Sequence, residues 1–462
     1  LRAADAAPEV WTAADLRAAV GGSIAGLIAS GVGRGDRVLL RLGHSVDVPI
    51  LFVAAAGLGA VPVPLAPDLT LGEVAAVRSA TAPALVIDGL GGVPDACPLA
   101  EAQRWRALPA APAADTGADD PAYMVFTSGT GGAAKGVLHA HRAVWARRMM
   151  WDDWYGLQPG DRMLHAGAFN WTFTLGTGLM DPWAAGATAL IYTGPPDRGV
   201  WAEIARRHGP TLFAGAPGVF RQLLGTGAVT PEAFAALRHA LTAGEALPPM
   251  LAETWRRASG REIYEALGMS EVSTYISDRP DGRRALPQHG RRIAILEEAA
   301  DTPAPRGTPG RLAVATSDPG LMLGYWREGA AVPHSDPWFV TGDRALMGAD
   351  GRIEFLGRTD TLLNAQGFRV APEEVEAVIG RHPGVVEALV VALPVRAEVT
   401  ILAAFVVADD NVTNEALDAH CRAHLARYKC PRAYHRLAAL PRTARGKRDR
   451  AALVRAHGWR PT

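Results

Sequence analysis

Cysteine is scarce: the 462 residues contain three, Cys97, Cys421 and Cys430. Their odd number and wide spacing exclude a disulfide framework and a zinc-ligand pattern, and favour a reducing, cytoplasmic setting. Net charge is missing too, with 47 Lys+Arg against 47 Asp+Glu, so the chain as a whole is not a polycation built for nucleic acid. No tract is of low complexity and no internal repeat is visible, which sets aside disordered and fibrous classes. No basic stretch followed by an apolar one opens the chain, so a secretory leader is not expected. The start at Leu1 is abrupt, and a few residues are expected to precede it. The one long uncharged run, Val48 to Pro67, would span a bilayer on length alone. Pro49, Gly57, Gly59, Pro62 and Pro64 interrupt it, which predicts a short buried helix near Ile50–Ala56, then a buried strand around Ala60–Leu65, and no membrane span.

What is present is 48% hydrophobic residues with 50 glycines and 34 prolines, the composition of a globular chain long enough for more than one domain. Short apolar runs (Val38–Leu42, Ala84–Ile87, Ala187–Tyr192, Thr211–Ala214) alternate with helical stretches (Trp201–His208, Pro217–Leu224). This alternation predicts an α/β class with largely parallel sheets. A boundary falls near Asp360. After it, Pro372-Glu373-Glu374 has the proline and acids of a helix start, followed by apolar runs Glu387–Leu393 and Thr400–Val407 and a helix near Glu415–Ala426. The expected division is residues 1–359 and a small α+β domain, 360–462. Residues 421–462 hold 12 Lys/Arg against the single acid Asp449. An apolar pattern is interleaved there, so a domain handling polyphosphate is favoured over nucleic-acid binding.

The most informative stretch is Thr127-Ser128-Gly129-Thr130-Gly131-Gly132-Ala133-Ala134-Lys135-Gly136, which follows the strand-like Tyr123–Phe126. Glycines let backbone N–H groups approach phosphate oxygens, hydroxyls add donors, and Lys135 adds a positive point charge. The spacing is not that of the Walker loop, since Ala134 precedes the lysine and Gly136 follows it. An ordinary glycine-rich turn is the alternative. His139 and His141 lie two apart without a third ligand nearby, and a structural role is favoured over metal binding.

The loop resembles the signature of the adenylate-forming superfamily of acyl-CoA synthetases, luciferases and peptide-synthetase adenylation domains. Four further stretches match in order: Leu267-Gly268-Met269-Ser270-Glu271, Val340-Thr341-Gly342-Asp343, Gly357-Arg358-Thr359-Asp360 continuing to Gln366-Gly367-Phe368-Arg369, and Leu440-Pro441-Arg442-Thr443-Ala444-Arg445-Gly446-Lys447. The resemblance implies a large multi-subdomain N-terminal domain and a small C-terminal one that rotates about a hinge at Asp360. It implies attack of a carboxylate on the α-phosphate of ATP, then transfer of the acyl group to CoA. Thr127, Ser128, Gly129, Thr130 and Lys135 would hold phosphates, and Glu271 would hold Mg²⁺. Ser270 would reach the α-phosphate, while Gly244, Glu245, Ala246, Leu267 and Gly268 would line the adenine side. Asp343 and Arg358 would hold the ribose, and Lys447 would bridge carboxylate and phosphate. Gln366, Gly367 and Phe368 would border the pantetheine tunnel. Departures from the family pattern are Gly131 for threonine, Ala134 for proline and Leu267 for tyrosine.

The acyl pocket is expected from Phe169, Asn170, Trp171, Phe173, Ala214, Gly215, Gly268, Met269 and Tyr275. Apolar and aromatic walls suit an uncharged acid. Asn170 stands where amino-acid-activating relatives carry aspartate, which argues against an α-amino acid. Met180-Asp181-Pro182-Trp183-Ala184-Ala185-Gly186-Ala187 looks like benzoate-type and medium-chain acyl-CoA ligases. The expected activity is therefore an aromatic or medium-chain acid–CoA ligase. A carrier protein is the alternative acceptor, and a non-catalytic nucleotide-binding relative is the third reading.

Overall fold

The computed structural model describes residues 7–127, 135–194, 197, 199–327, 329–358, 363–365, 368–370, 372–396, 399–425, 427–443, 446 and 448–458. The N-terminal helix Ala13–Ala29 opens on a capping box, Thr12 and Asp15 satisfying each other's exposed backbone donors. It leads into a parallel sheet ordered Val61–Pro64, Arg37–Arg41, Leu85–Asp88, Cys97–Pro98. The uncharged run forms the buried helix Asp47–Gly57 and the strand Val61–Pro64, as its prolines and glycines predicted. Among the described residues no helix is long and apolar enough to cross a membrane.

The site is built on a seven-stranded sheet. Its parallel part runs Ile263–Met269, His239–Ala243, Leu212–Gly215, Arg162–Ala166, Thr188–Leu190. Ser273–Ser277 and Leu286–Pro287 extend it antiparallel. The helices Val200–His208, Pro217–Leu224 and Pro249–Ser259 accompany these strands, the last two started by proline in the first turn. Phe213, Phe220, Phe234 and Trp255 form an aromatic core on one face. Phe173, Trp154, Ala214 and Leu241 fill another cluster.

The α/β expectation holds, but two further sheets are antiparallel. One contains Ile293–Leu296, Gly310–Ala315, Trp338–Met347 and Ile353–Arg358. In Trp338–Met347 buried and half-buried residues alternate, as in a strand covered on one face, yet Gly342, Asp343 and Arg344 blur that period in the sequence. The other pairs Pro121–Thr127 with Lys135–Ala140, Gly324–Arg327 and Ala330–Val332. Towards the C-terminus, Val385–Arg396, Val399–Ala408 and Ala433–Arg436 form a separate sheet. Helices Pro372–Ile379 and Asn414–His424 supply Val375, Ile379, Leu417 and Cys421 to its core.

Candidate active site

The glycine-rich loop joins two antiparallel strands. Thr127 stands in register with Lys135 and Phe126 with Gly136. It is thus a hairpin loop, unlike a Walker loop, which runs from a strand into a helix. Ser128, Gly129, Thr130, Gly131 and Ala134 lie outside the described residues. Gly136 has no room for a side chain: a Cβ there would sit 2.9 Å from the Met124 sulfur and 3.0 Å from Trp326 Cβ. Lys135 is exposed, its Nζ 5.3 Å from the centre of the Tyr325 ring. The Tyr325 hydroxyl in turn donates to Glu271 Oε1 at 2.8 Å. Burial and the Glu271 carboxylate push this phenol above its ordinary value, so it stays a donor. A lysine after the loop, a tyrosine and the Mg²⁺ candidate therefore form one cluster.

Ser270 and Glu271 occupy the turn between strands Ile263–Met269 and Ser273–Ser277. His139 Nε2 donates to the Ser270 carbonyl at 2.8 Å, and Met322 N to that of Glu271 at 2.8 Å. Burial holds the His139 ring at about 4, hence neutral, and it stacks on Tyr123 at 4.7 Å. A bulge at Leu267/Gly268 brings Gly268 against the opposite strand, where a Cβ would lie 2.7 Å from the Ser273 carbonyl. Below the turn, Arg147 and Asp181 make a fully buried pair at 2.6 Å, joined by the Tyr155 hydroxyl, with Arg147 also donating to Ser273 Oγ. Burial opposes the arginine's charge, but Asp181 outweighs it and raises the Arg147 value.

Asp343 is buried and faces Arg358 across its strand pair, Nη1 to Oδ1 at 3.1 Å. Gly342 precedes it at φ +83, and the Asp343 N–H donates to Thr341 Oγ1 at 3.1 Å. Tyr275 is fully enclosed in the core. Its phenol is pushed up by burial first and then by Asp343, which puts it beside the ribose candidates.

Phe169 packs against His44 at 6.3 Å, and both border a small cleft with Asn170, Leu42 and Pro64. Trp171 lies over Gly244, where a Cβ would be 2.7 Å from its ring; Gly244 also has φ +94. The segment 244–246 leaves the C-terminal end of strand His239–Ala243, and Leu247 N donates to Glu265 Oε1 at 2.8 Å. Burial raises the Glu265 carboxyl to about 7. Phe173 is a buried wall between Trp154 and Trp171, at 5.9 and 5.4 Å. Ala214 and Gly215 end the neighbouring strand, and Met269 ends Ile263–Met269. Asp360, Gln366, Gly367 and Lys447 lie outside the described residues; Phe368 opens the strand Phe368–Val370. Arg442, which belongs to the same sequence motif as Lys447, pairs with Glu387 at 2.7 Å and approaches Glu245 to 3.9 Å. Arg221 reaches the same Glu387 at 2.6 Å.

Residues 2–326 match the family described as AMP-binding enzyme, and residues 374–447 match the AMP-binding enzyme C-terminal domain. The chain belongs to the AMP-binding enzyme family. A 3-hydroxybenzoate–CoA/4-hydroxybenzoate–CoA ligase of Thauera aromatica is 31% identical over 91% of this chain and 87% of its own. A p-hydroxybenzoic acid–AMP ligase of Mycobacterium tuberculosis is 31% identical over 93% of this chain and 63% of its own. Among solved structures, a benzoate CoA ligase from Burkholderia xenovorans superposes with a TM-score of 0.83 at 27% identity, covering 96% and 94% of the two chains. In this AMP-binding enzyme, Tyr325 and Arg147 were not singled out from sequence, Arg442 stood there only as part of a motif, and His139 was read as structural without a partner being named. Each is a common residue type whose importance appears only when a distant segment packs against it.

Proposed function

We propose that the protein activates an aromatic or medium-chain carboxylic acid with ATP to the acyl-AMP and passes the acyl group to CoA, releasing pyrophosphate and AMP. The observation that carries this reading is the cluster of Lys135, Tyr325 and Glu271, drawn from three separate segments. A cation, a neutral donor and a carboxylate in one place suit polyphosphate. Both reactants are anionic, so catalysis consists mainly of neutralising and aligning them. Lys135 and the hydroxyls of the 127–130 loop would hold the β- and γ-phosphates. Mg²⁺ commonly takes one carboxylate together with substrate phosphates; Glu271 fits that demand, and the ion would neutralise phosphate charge there. Ser270, held through its carbonyl by His139, would direct its hydroxyl to the α-phosphate. Asp343, oriented by Arg358, would accept from the ribose hydroxyls. Gly244, Glu245, Ala246, Leu267 and Gly268 would border adenine, and Phe169 to Phe173 with Ala214, Gly215 and Met269 would border the acid.

Lys447 would join attacking carboxylate and α-phosphate only during adenylation. The division into 1–359 and 360–462, hinged at Asp360, would then exchange it for the loop Gln366–Phe368 at the CoA tunnel. Support comes from the separate C-terminal core and from Arg442, which belongs to the same sequence motif as Lys447 and approaches Glu245. A carrier protein as acceptor is the second reading, supported by likeness to an acid–AMP ligase. The test is AMP and pyrophosphate formation across benzoates, cinnamates and short- to medium-chain acids, with and without CoA. CoA-dependent turnover on one acid class is expected. Pyrophosphate release that CoA does not accelerate would favour a carrier protein, and silence across the panel would withdraw the reading.

A further inference from the structure

Glu387 stands on the C-terminal strand Val385–Arg396, beside a bulge between Val385 and Glu387. Its side chain is 9% exposed and takes two guanidinium groups on one oxygen, Oε1. Arg221 reaches it from the helix Pro217–Leu224, Nη2 at 2.6 Å. Arg442 reaches it from the motif that carries Lys447, Nη2 at 2.7 Å. Two cations sharing one carboxylate repel each other, so a second acid nearby relieves the charge. Glu245 is that acid, 3.9 Å from Arg442 Nη1. Burial pulls the Arg221 value down, and Glu387 and Glu245 both oppose that effect. The network therefore crosses the expected boundary near residue 360 twice, from Arg221 to Glu387 and from Glu245 to Arg442.

The other nitrogen of Arg442 has a more specific partner. Nη1 donates to the Gly446 carbonyl at 2.8 Å. Gly446 immediately precedes Lys447, has φ +80, and donates its N–H to the Thr443 carbonyl at 2.8 Å. The base of the segment is closed as well. Arg442 and Arg448 form an antiparallel bridge, and Asp449 N donates to the Pro441 carbonyl at 2.8 Å. One planar guanidinium thus holds Glu387 and the carbonyl before Lys447 together, which the point charge of a lysine would not do.

We propose that Arg221, Glu387 and Arg442 form a clasp that positions the Lys447 segment for acyl-AMP formation and opens before thioester formation. The inference rests on the acid-activating function above and on Lys447 serving its first step. Arg221 and Arg442 act through Lys447, so they are positioning residues. Alignment of a reacting group is worth far more than the contact that maintains it. Ion pairs within reach of water are individually weak, which suits a contact that must open in every turnover.

The test separates the two half-reactions of the full chain, with saturating ATP and the best acid of the panel above. Pyrophosphate release before CoA is added reads the first step. Thioester formation from preformed acyl-AMP reads the second. Arg442→Gln should slow the first step by about tenfold or more, because the lysine loses its alignment. Arg221→Gln should slow it by about 2–5-fold, the effect of a partly exposed ion pair. The second step should keep its native rate in both variants. Arg221→Lys retains the charge and should stay within about twofold of the native chain. Added KCl should close the gap between the native chain and Arg221→Gln, since screening weakens the pair that the variant lacks. Arg221 is within reach of water, so its variants keep the test usable if Arg442→Gln folds poorly. An equal loss in both half-reactions, or no loss in either glutamine variant, would overturn the inference while adenylation stood. A loss in Arg442→Gln alone would overturn the clasp from Arg221. No pyrophosphate release with any acid would overturn the inference together with the function beneath it.

Discussion

Two groups of charges flank the candidate site, and they are held in different ways. Beneath the Ser270–Glu271 turn, Arg147 and Asp181 are each 2% exposed, 2.6 Å apart and tied to Tyr155. At the seam with the C-terminal sheet, Arg442 is 26% exposed and Arg221 27%, and both converge on Glu387. The buried pair is surrounded by fixed partners, so moving either member would strand a charge in the core. The seam is reachable by water and by salt, so its pairs can exchange partners at little cost. The proposed movement of the C-terminal segment over a fixed phosphate site would call for burial on one side and screened ion pairs on the other.

The sharpest way to break this contrast is at Asp181. Asp181→Ala leaves Arg147 buried and uncompensated, and urea unfolding should show a loss of about 3–5 kcal/mol. A loss under 1 kcal/mol would mean that Arg147 finds water and the floor is not rigid. In the motif that also carries Arg442, Lys447→Ala should lower acyl-AMP formation by about 10²–10³. Thioester formation from preformed acyl-AMP should change little, and equal damage to both half-reactions would contradict a lysine used in one step only.

A pH experiment extends the comparison to Glu265, which anchors the 244–247 segment from below. Its carboxyl stands at about 7 in the fold against 4.5 ordinarily, owing chiefly to burial. A raised value stabilises the fold at low pH, and that stability is lost as pH rises through the interval from 4.5 to about 7. Glu265→Gln keeps an acceptor for Leu247 N and should remove this dependence, so the native chain should lose on the order of 1–3 kcal/mol relative to the variant across that interval. Parallel pH curves would show that the buried carboxyl is solvated. The smallest effect should come from the Arg442–Glu387 pair. A double-mutant cycle with Arg442→Ala and Glu387→Ala should give about 0.2–1 kcal/mol of coupling, shrinking with added salt. A larger, salt-insensitive value would make the seam resemble the floor.

The two regions also differ in how far they could be foreseen. The stretch around Lys135 was visible because it gathers glycine, hydroxyl and charge within a few consecutive residues, the pattern expected where backbone approaches phosphate, whereas Glu271 and Asp343 stood out only through the family motifs around them. His139 and Ser270 are 131 positions apart, and Tyr325 and Glu271 54. Lone histidines and tyrosines at such separations look like any others. Tyr275, read as a pocket residue, is enclosed in the core beside Asp343, since strand register decides which side chains stay near a cleft.

Sequence alone determined the α/β class, the order of the family motifs and the helix starts, because backbone conformation, capping and local charge act over a few residues. Tertiary structure decided that the strands flanking the glycine loop pair antiparallel, that a tyrosine links Lys135 to Glu271, and that a neutral histidine, His139, donates to the Ser270 carbonyl. Those outcomes depend on which strands pair and which side chains lose water together, and such energies exist only once distant segments have met.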